Sequence, residues 1–440
     1  MRFFDREVEI KRLCETQEIS YENAQFTVVT GRRRIGKTQL LLKATEGQPT
    51  LYFFVTRKAE PFLCQDFKEE ITEKLGVPIL GETTSFSKLF QFLMQFSSEH
   101  VFNLIIDEFQ EFLHINPSVY SDMQRHWDLN KDKSRINLIV CGSVFSLMHK
   151  IFKDYKAPLF GRATAFLQIR PFKVSVLKDI IRELSPAGYE PEDLLALYAF
   201  TGGVAKYVQL LADNKALTLK KMLDFIICED SPFITDGKNM LIDEFGRDYA
   251  IYFTILSAIA RGDNTRGQIE SYTGREIGGY LTRLENDYGL IAKSVPVFSK
   301  SETKNVRYTI NDNFLTFWFR FIYKYSNMIE IAQYGELRRI VERDYATFSG
   351  GILERYFREK FIEEGKATKI GGFWDKSGEN EIDLVVLNEL DMIAQVVEIK
   401  RNEKHIRYNL LKEKTENMIQ KTNQLKNYRI EYLGLSLKDM

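Results

Sequence analysis

This 440-residue sequence is poor in cross-linking and chain-stiffening residues, with four cysteines and ten prolines. Cys14, Cys64, Cys141 and Cys228 are scattered without a Cys-x-x-Cys pair. That excludes a disulfide framework and a zinc-ribbon site, and it reads as the reduced thiols of a cytoplasmic protein. So few prolines exclude long Pro-rich linkers. Net charge is also missing: 61 Lys and Arg balance 61 Asp and Glu. A globally basic nucleic-acid coat and a polyanionic tail are thereby excluded, although a sum says nothing about distribution. No apolar run approaches the roughly 18 residues needed to cross a bilayer. The opening Met-Arg-Phe-Phe-Asp-Arg-Glu is charged and lacks the apolar stretch of a signal peptide, so no membrane partner is expected. The five histidines are dispersed without metal-ligand spacing, and there is no Gly-x-Ser-x-Gly elbow.

Hydrophobic residues make up 44% and aromatics 13%, enough for well-filled cores. The length suits two to four domains. Short apolar runs at 26–30, 51–55, 102–106 and 137–141 alternate with helical stretches, the pattern of a buried parallel sheet in an α/β domain. From Pro171 the pattern is mostly helical. Residues 222–249 carry seven acids against two bases and mark a boundary. Residues 250–310 then read as helix, short helix, a third helix with Thr273 as its N-cap, and two strands: the order of a winged helix-turn-helix. Next come an aromatic-rich helical segment from Asn313, a helix around 351–361, and strands at 382–387 and 393–400. The expected organisation is a core over 1–170, a helical lid over 171–245, a winged helix over 246–325 and a C-terminal domain over 326–440.

The chemistry begins at Gly31-Arg-Arg-Arg-Ile-Gly36-Lys37-Thr38, which satisfies Gly-x-x-x-x-Gly-Lys-[Ser/Thr] with a strand before it and a helix after it. Gly31, Arg34, Gly36, Lys37 and Thr38 are the candidate contacts to ATP. The glycines admit backbone amides to the phosphates, the helix N-terminus adds positive potential, Lys37 bridges the β- and γ-phosphates, and Thr38 ligates Mg²⁺. The apolar strand Phe102-Asn-Leu-Ile-Ile ends in Asp107-Glu108, a Walker B pattern. Asp107 is expected to hold Mg²⁺ through water, and Glu108 to orient or deprotonate the attacking water. Ser143, after the next apolar run, is a candidate to sense the γ-phosphate or hold that water.

The C-terminal strands carry a second constellation. Asp383 and Glu398 offer hard oxygens suited to Mg²⁺, with Glu354 as a further candidate ligand. Lys400 is placed to orient or deprotonate a water, or to stabilise developing phosphate charge. Residues 398–430 hold nine bases against four acids, which suits a phosphodiester backbone and equally a solvated helix face. Residues 261–310 hold eight bases and six acids, a thin electrostatic case for nucleic acid. Arg275, Arg283, Lys293, Lys300, Lys304 and Arg307 are the exposed candidates there. DNA contact and pure scaffolding both remain open for this module.

Taken in order, FFDREVEIKRL, GRRRIGKT, LIIDEFQEF, CGSVFSLM, PLFGRAT and TGGVAKYV resemble the archaeal-type AAA-like ATPases related to the STAND class. The resemblance implies a P-loop NTPase parallel sheet with a helical lid. It also implies that the opening helix lies near the adenine, and it makes Arg162 in PLFGRAT a candidate for phosphate sensing or an arginine finger. Ala205 stands where that family usually has proline, which unsettles any role for Lys206. The Asp383…Glu398-Ile-Lys400 array, with Gly-Gly-Phe-Trp374 before it, resembles the PD-(D/E)xK nucleases, and more narrowly the domain of unknown function that follows such ATPases. The whole then implies an α/β, restriction-endonuclease-like C-terminal domain. It implies ATP and Mg²⁺ as cofactors and nucleic acid as partner, DNA ahead of RNA, with a homo-oligomer compatible. The alternative is a nucleotide-dependent regulator or scaffold whose C-terminal domain is inactive.

Overall fold

The computed structural model describes residues 3–440 apart from 80, 82, 187, 301 and 377, and the backbone alone at 247. The chain divides into two compact units, residues 5–170, and residues 171–440 with Phe3 and Phe4. Among the described residues no helix is long and apolar enough to cross a membrane.

In the unit 5–170, five strands form one sheet in the order β2-β3-β4-β1-β5. They are β1 Gln25–Thr30, β2 Thr50–Phe54, β3 Phe102–Asp107, β4 Ile136–Gly142 and β5 Ala165–Gln168. Every pairing is parallel. β3 and β4 are buried at every residue, which is why they read as continuous apolar runs. Their two asparagines satisfy one another: Asn137 Nδ2 donates to Asn103 Oδ1 at 2.9 Å, and Asn103 Nδ2 to Thr50 Oγ1 at 3.1 Å. Flanking helices fill the core with aromatic rings. Phe53 stacks on Phe67 of Glu60–Leu75 at 4.2 Å, and Phe26 meets Trp127 of Ser118–Asn130 at 5.2 Å. Because the strands are parallel, Thr30, Asp107, Gly142 and Gln168 end along one edge of the sheet.

The unit 171–440 opens with helices Val174–Leu184, Pro191–Thr201, Ala205–Asp213, Leu219–Ile226 and Pro232–Phe245. Pro191–Thr201 is buried on all sides from Asp193 onward, as its almost unbroken apolar composition requires. Gly203 ends the turn after it with φ +74°, and a Cβ there would lie 2.5 Å from the Phe172 carbonyl oxygen. The next helix still starts at Ala205, the first-turn position that also suits proline.

Three helices follow, Tyr249–Arg261, Arg266–Thr273 and Gly278–Asn286, then the antiparallel pair β6 Ile291–Ser294 and β7 Arg307–Ile310. Thr273 is not the cap of the third helix. It is the last residue of the second, which Gly274 terminates at φ +67°, and the second helix is capped by Thr265. The aromatic segment Asn313–Phe317 continues as a π-helical turn, Trp318–Tyr323. Trp318 Nε1 donates to Ile234 O at 2.9 Å, and its ring lies directly over Gly237, where a Cβ would collide with it.

The helix expected around 351–361 is far longer, Tyr334–Glu363. After it come β8 Lys369–Trp374, β9 Glu381–Asn388, β10 Ile393–Ile399, helix Tyr408–Thr422 and β11 Arg429–Leu435. They build a mixed sheet in the order β11-β10-β9-β8, antiparallel except for β10 with β11. The loop between β6 and β7 is docked on this sheet. Val297 belongs to its hydrophobic core, and Val297 N–H donates to Gly372 O at 2.9 Å.

Candidate functional site

The phosphate loop leaves the C-terminal end of β1 and enters helix Lys37–Ala44. Gly31 has no room for a side chain, because a Cβ would lie 2.8 Å from the Ile169 carbonyl oxygen. Arg34 and Gly36 turn the loop through the left-handed region at φ 70° and 94°. Lys37 is buried, with Nζ donating to Gly31 O at 2.9 Å and Arg32 O at 3.2 Å, so its charge sits inside the cradle of loop carbonyls and amides. Burial lowers its pKa, against the opposing pull of Cys141, Glu108 and Asp107.

Thr38 Oγ1 donates to Asp107 Oδ2 at 2.8 Å. A hydroxyl and a carboxylate so close beside a phosphate cradle form a hard-oxygen set that fits Mg²⁺. Glu108 follows β3 in the left-handed conformation, φ 53°. Its Oε2 accepts from Gln110 Nε2 at 2.5 Å and from Ser143 Oγ at 2.8 Å. Ser143 therefore holds Glu108. Gly142 makes room for Gln110, which a Cβ would strike. Arg6, ahead of the first helix Glu7–Ser20, is buried and donates to Arg170 O at 2.7 Å, just past the Ile169 carbonyl that contacts Gly31.

Arg162 is not with these groups. It precedes β5, and because β5 runs parallel to β1 the chain at Thr164 bonds to Phe26, near the start of β1. Some five residues of strand, about 16 Å, separate that level from Gly31. Arg162 pairs with Asp128 at 3.2 Å and donates to Phe160 O at 2.8 Å. Its expected contact to the phosphates of its own chain is corrected accordingly, the cause being strand direction.

Asp107 has two neighbours that sequence reading missed. Tyr52 OH donates to Asp107 Oδ2 at 2.6 Å, and Cys141 Sγ donates to Oδ1 at 2.9 Å. Strand register explains both. Phe54 of β2 pairs with Asp107, so Tyr52 shares its face two residues earlier, and Cys141 lies next to Asp107 on the other side in β4. Burial, then Asp107, pushes both side chains above their ordinary pKa values, so they act as protonated donors.

In the second unit, β9 and β10 bring Asp383, Glu398 and Lys400 together. Lys400 Nζ lies 3.0 Å from Asp383 Oδ2 and 3.8 Å from Glu398 Oε1. Backbone amides orient both acids: Ile399 N–H donates to Asp383 at 2.7 Å and Arg407 N–H to Glu398 at 2.7 Å. Burial lowers the Lys400 pKa, but Asp383 and Glu398 outweigh it and leave a net upward shift. Glu354 keeps solvent contact, and its carboxyl is pushed up to about 7 by desolvation and then by the Asp383 charge. It feels the cluster without completing a metal shell: among the described residues no three His, Cys, Asp or Glu side chains lie close enough to hold an ion. The acids available there are the pair Asp383 and Glu398.

The basic candidates of the three-helix module divide. Arg275, Arg283, Lys293, Lys300 and Lys304 are exposed. Arg307 is engaged: its guanidinium pairs with Glu381 at 2.6 Å and lies 4.5 Å from the Trp374 ring centre.

Comparison with known proteins finds two matched regions in the chain. Residues 3–211 match a family described as an ATPase domain predominantly from Archaea, and residues 318–419 match a family of archaeal and bacterial proteins of unknown function. An uncharacterized protein of Methanocaldococcus jannaschii is 32% identical over 407 residues, covering 90% of this chain and 87% of that protein. A Walker-type ATPase of Pyrococcus abyssi superposes with a TM-score of 0.53 at 21% identity, over 72% of this chain and 96% of that one. That likeness concerns the fold alone.

Proposed function

Since the chain belongs to the archaeal-type ATPases in which this ATPase domain is joined to this C-terminal domain of unknown function, we propose that its ATP hydrolysis serves a phosphodiester-cleaving second unit. The chain is an ATP-binding ATPase. Gly31, Arg34, Gly36 and Lys37 surround the phosphates, and Thr38 with Asp107 supplies the oxygens for Mg²⁺. Mg²⁺ held there, and by Asp383 with Glu398, would neutralise phosphate charge. Glu108, steadied by Ser143 and Gln110, orients or deprotonates the attacking water.

The cleavage reading rests on one observation. Two carboxylates on neighbouring strands meet a lysine at 3.0 and 3.8 Å, with both acids already oriented by backbone amides. Two acids suffice for an ion that keeps several of its waters. Lys400 stabilises charge developing on the phosphate. The nucleic acid, DNA ahead of RNA, would be held by the exposed bases of 400–429, Lys404, Arg407, Lys412 and Lys426, since Arg401, Lys421 and Arg429 are spent on ion pairs. The test is Mg²⁺-dependent cleavage of plasmid and single-stranded DNA, with and without ATP. Wild type is expected to cut and Asp383→Ala to lose cutting; identical behaviour would remove the nuclease reading.

A second reading, a nucleotide-dependent regulator with an inactive C-terminal domain, is favoured by the docking of the β6–β7 loop on the sheet. Arg307, Asn305 and Val297 spend their contacts on Glu381, Trp374 and Gly372. Under that reading ATP turnover persists and no substrate is cut.

A further inference from the structure

Asp107 is only 3% exposed, and a carboxylate so deeply placed needs its acceptor sites filled. Four donors fill them. Oδ2 takes Thr38 Oγ1 at 2.8 Å and Tyr52 OH at 2.6 Å; Oδ1 takes Cys141 Sγ at 2.9 Å and Glu108 N–H at 2.9 Å. The donors differ in what the reaction asks of them. Thr38 belongs to the phosphate loop, and its hydroxyl is the group that turns to Mg²⁺. The Glu108 amide is fixed by the strand. Tyr52 and Cys141 lie outside the phosphate loop and project from the strands on either side of β3.

We propose that Tyr52 is a positioning residue of the ATPase reaction: its hydroxyl, with the Cys141 thiol opposite, holds the Asp107 carboxylate in the orientation that serves the Mg²⁺ of bound ATP. β2 is an edge strand of the sheet, and Tyr52 is half-buried. A tyrosine there could turn its hydroxyl to water. Instead it runs along the strand to the carboxylate opposite Phe54. Both flanking groups donate to the carboxylate, one to each oxygen. Were Thr38 to turn from Oδ2 to a metal, Tyr52 would still donate to that oxygen and keep the carboxylate from swinging. Partners of this kind, which orient a ligand without touching the metal, typically carry a 10- to 100-fold share of metal affinity.

The inference rests on Asp107 serving Mg²⁺, and the experiment separates the two claims. A fluorescent ATP analogue is bound to the full-length protein in EDTA and then titrated with Mg²⁺, giving nucleotide affinity without metal and metal affinity of the complex. For Tyr52→Phe, which keeps the ring and its packing, the Mg²⁺ affinity is expected to fall about tenfold while metal-free nucleotide affinity stays within about twofold. Cys141→Ser keeps a donor and is expected to follow wild type. Cys141→Ala removes it and is expected to shift in the same direction as Tyr52→Phe, giving an independent arm should the Tyr52 variant not fold. Mg²⁺ curves for Tyr52→Phe and Cys141→Ala that superpose on wild type overturn the proposal. Asp107→Ala is the control: if its curve also superposes, the assignment of Asp107 itself is what fails.

Discussion

Arg401 Nη2 lies 2.6 Å from Glu192 Oε2, tying the end of β10 that carries Lys400 to helix Pro191–Thr201. The same guanidinium donates to Ser349 Oγ and lies 5.5 Å from the Tyr345 ring centre, so one side chain joins three elements of the 171–440 unit. The two side chains are 23% and 29% exposed, sheltered enough for the pair to exceed the worth of a surface bridge. A double-mutant cycle of Arg401→Met and Glu192→Gln in urea denaturation is expected to give a coupling of about 1–2 kcal/mol. A coupling of zero would reduce the contact to a chance approach.

At the phosphate loop the variants should differ in kind. Lys37→Ala is expected to abolish turnover together with tight ATP binding. Glu108→Gln keeps the shape of the side chain and its contact region, so ATP still binds while phosphate release falls by at least about 100-fold, the share of a lost general base. Ser143→Ala removes one of two hydrogen bonds to Glu108, and about 1 kcal/mol, or roughly fivefold in rate, is expected to go with it. Equal loss in Ser143→Ala and Glu108→Gln would mean that Ser143 contacts the nucleotide itself.

Much of this was legible in the residues, and the boundary has a physical cause. Glycines at 31 and 36, the Lys-Thr pair and Asp107-Glu108 are local patterns whose spacing carries their meaning, and the parallel sheet announced itself because β3 and β4 bury both faces. Asp383, Glu398 and Lys400 were readable because two adjacent strands leave few ways to pair. Tyr52 and Cys141 were not, since their contact with Asp107 depends on strand order and register, which no local window contains. Arg162 failed for the same reason: a motif shows that an arginine is present, and only strand direction shows at which edge it lands. β8 and β11 escaped because Gly-Gly interrupts one and polar alternation masks the other. A threonine before glycine suits either end of a helix, so the residues around Thr273 do not distinguish a cap from a last turn.

The placement of Arg162 makes its own prediction. Its partner Asp128 is 41% exposed, so the pair is worth no more than about 1 kcal/mol. Arg162→Ala is expected to leave ATP affinity and turnover of dilute protein at wild-type levels and to lower the melting temperature by a few degrees at most. A loss of turnover that grows with protein concentration would show the arginine acting on a neighbouring chain.

Arg307 is the decisive residue for the three-helix module, because sequence places it among the basic groups of a wing while the structure occupies it otherwise. Both guanidinium nitrogens bond Glu381, at 2.6 and 3.3 Å, and the plane covers Trp374, whose Nε1 donates to Asn305 at 3.0 Å. A charge so engaged releases no counterion from DNA. Arg307→Ala is therefore expected to cost about 1–2 kcal/mol of stability through the lost ion pair and ring contact, with the salt dependence of DNA binding unchanged. Arg275→Ala with Arg283→Ala, both exposed, is expected to flatten the slope of log affinity against log salt by about two. If Arg307→Ala instead flattens that slope, the loop must leave the C-terminal sheet when DNA arrives. If neither variant changes it, this module is a scaffold, and the basic stretch after Glu398 carries whatever nucleic-acid binding the protein has.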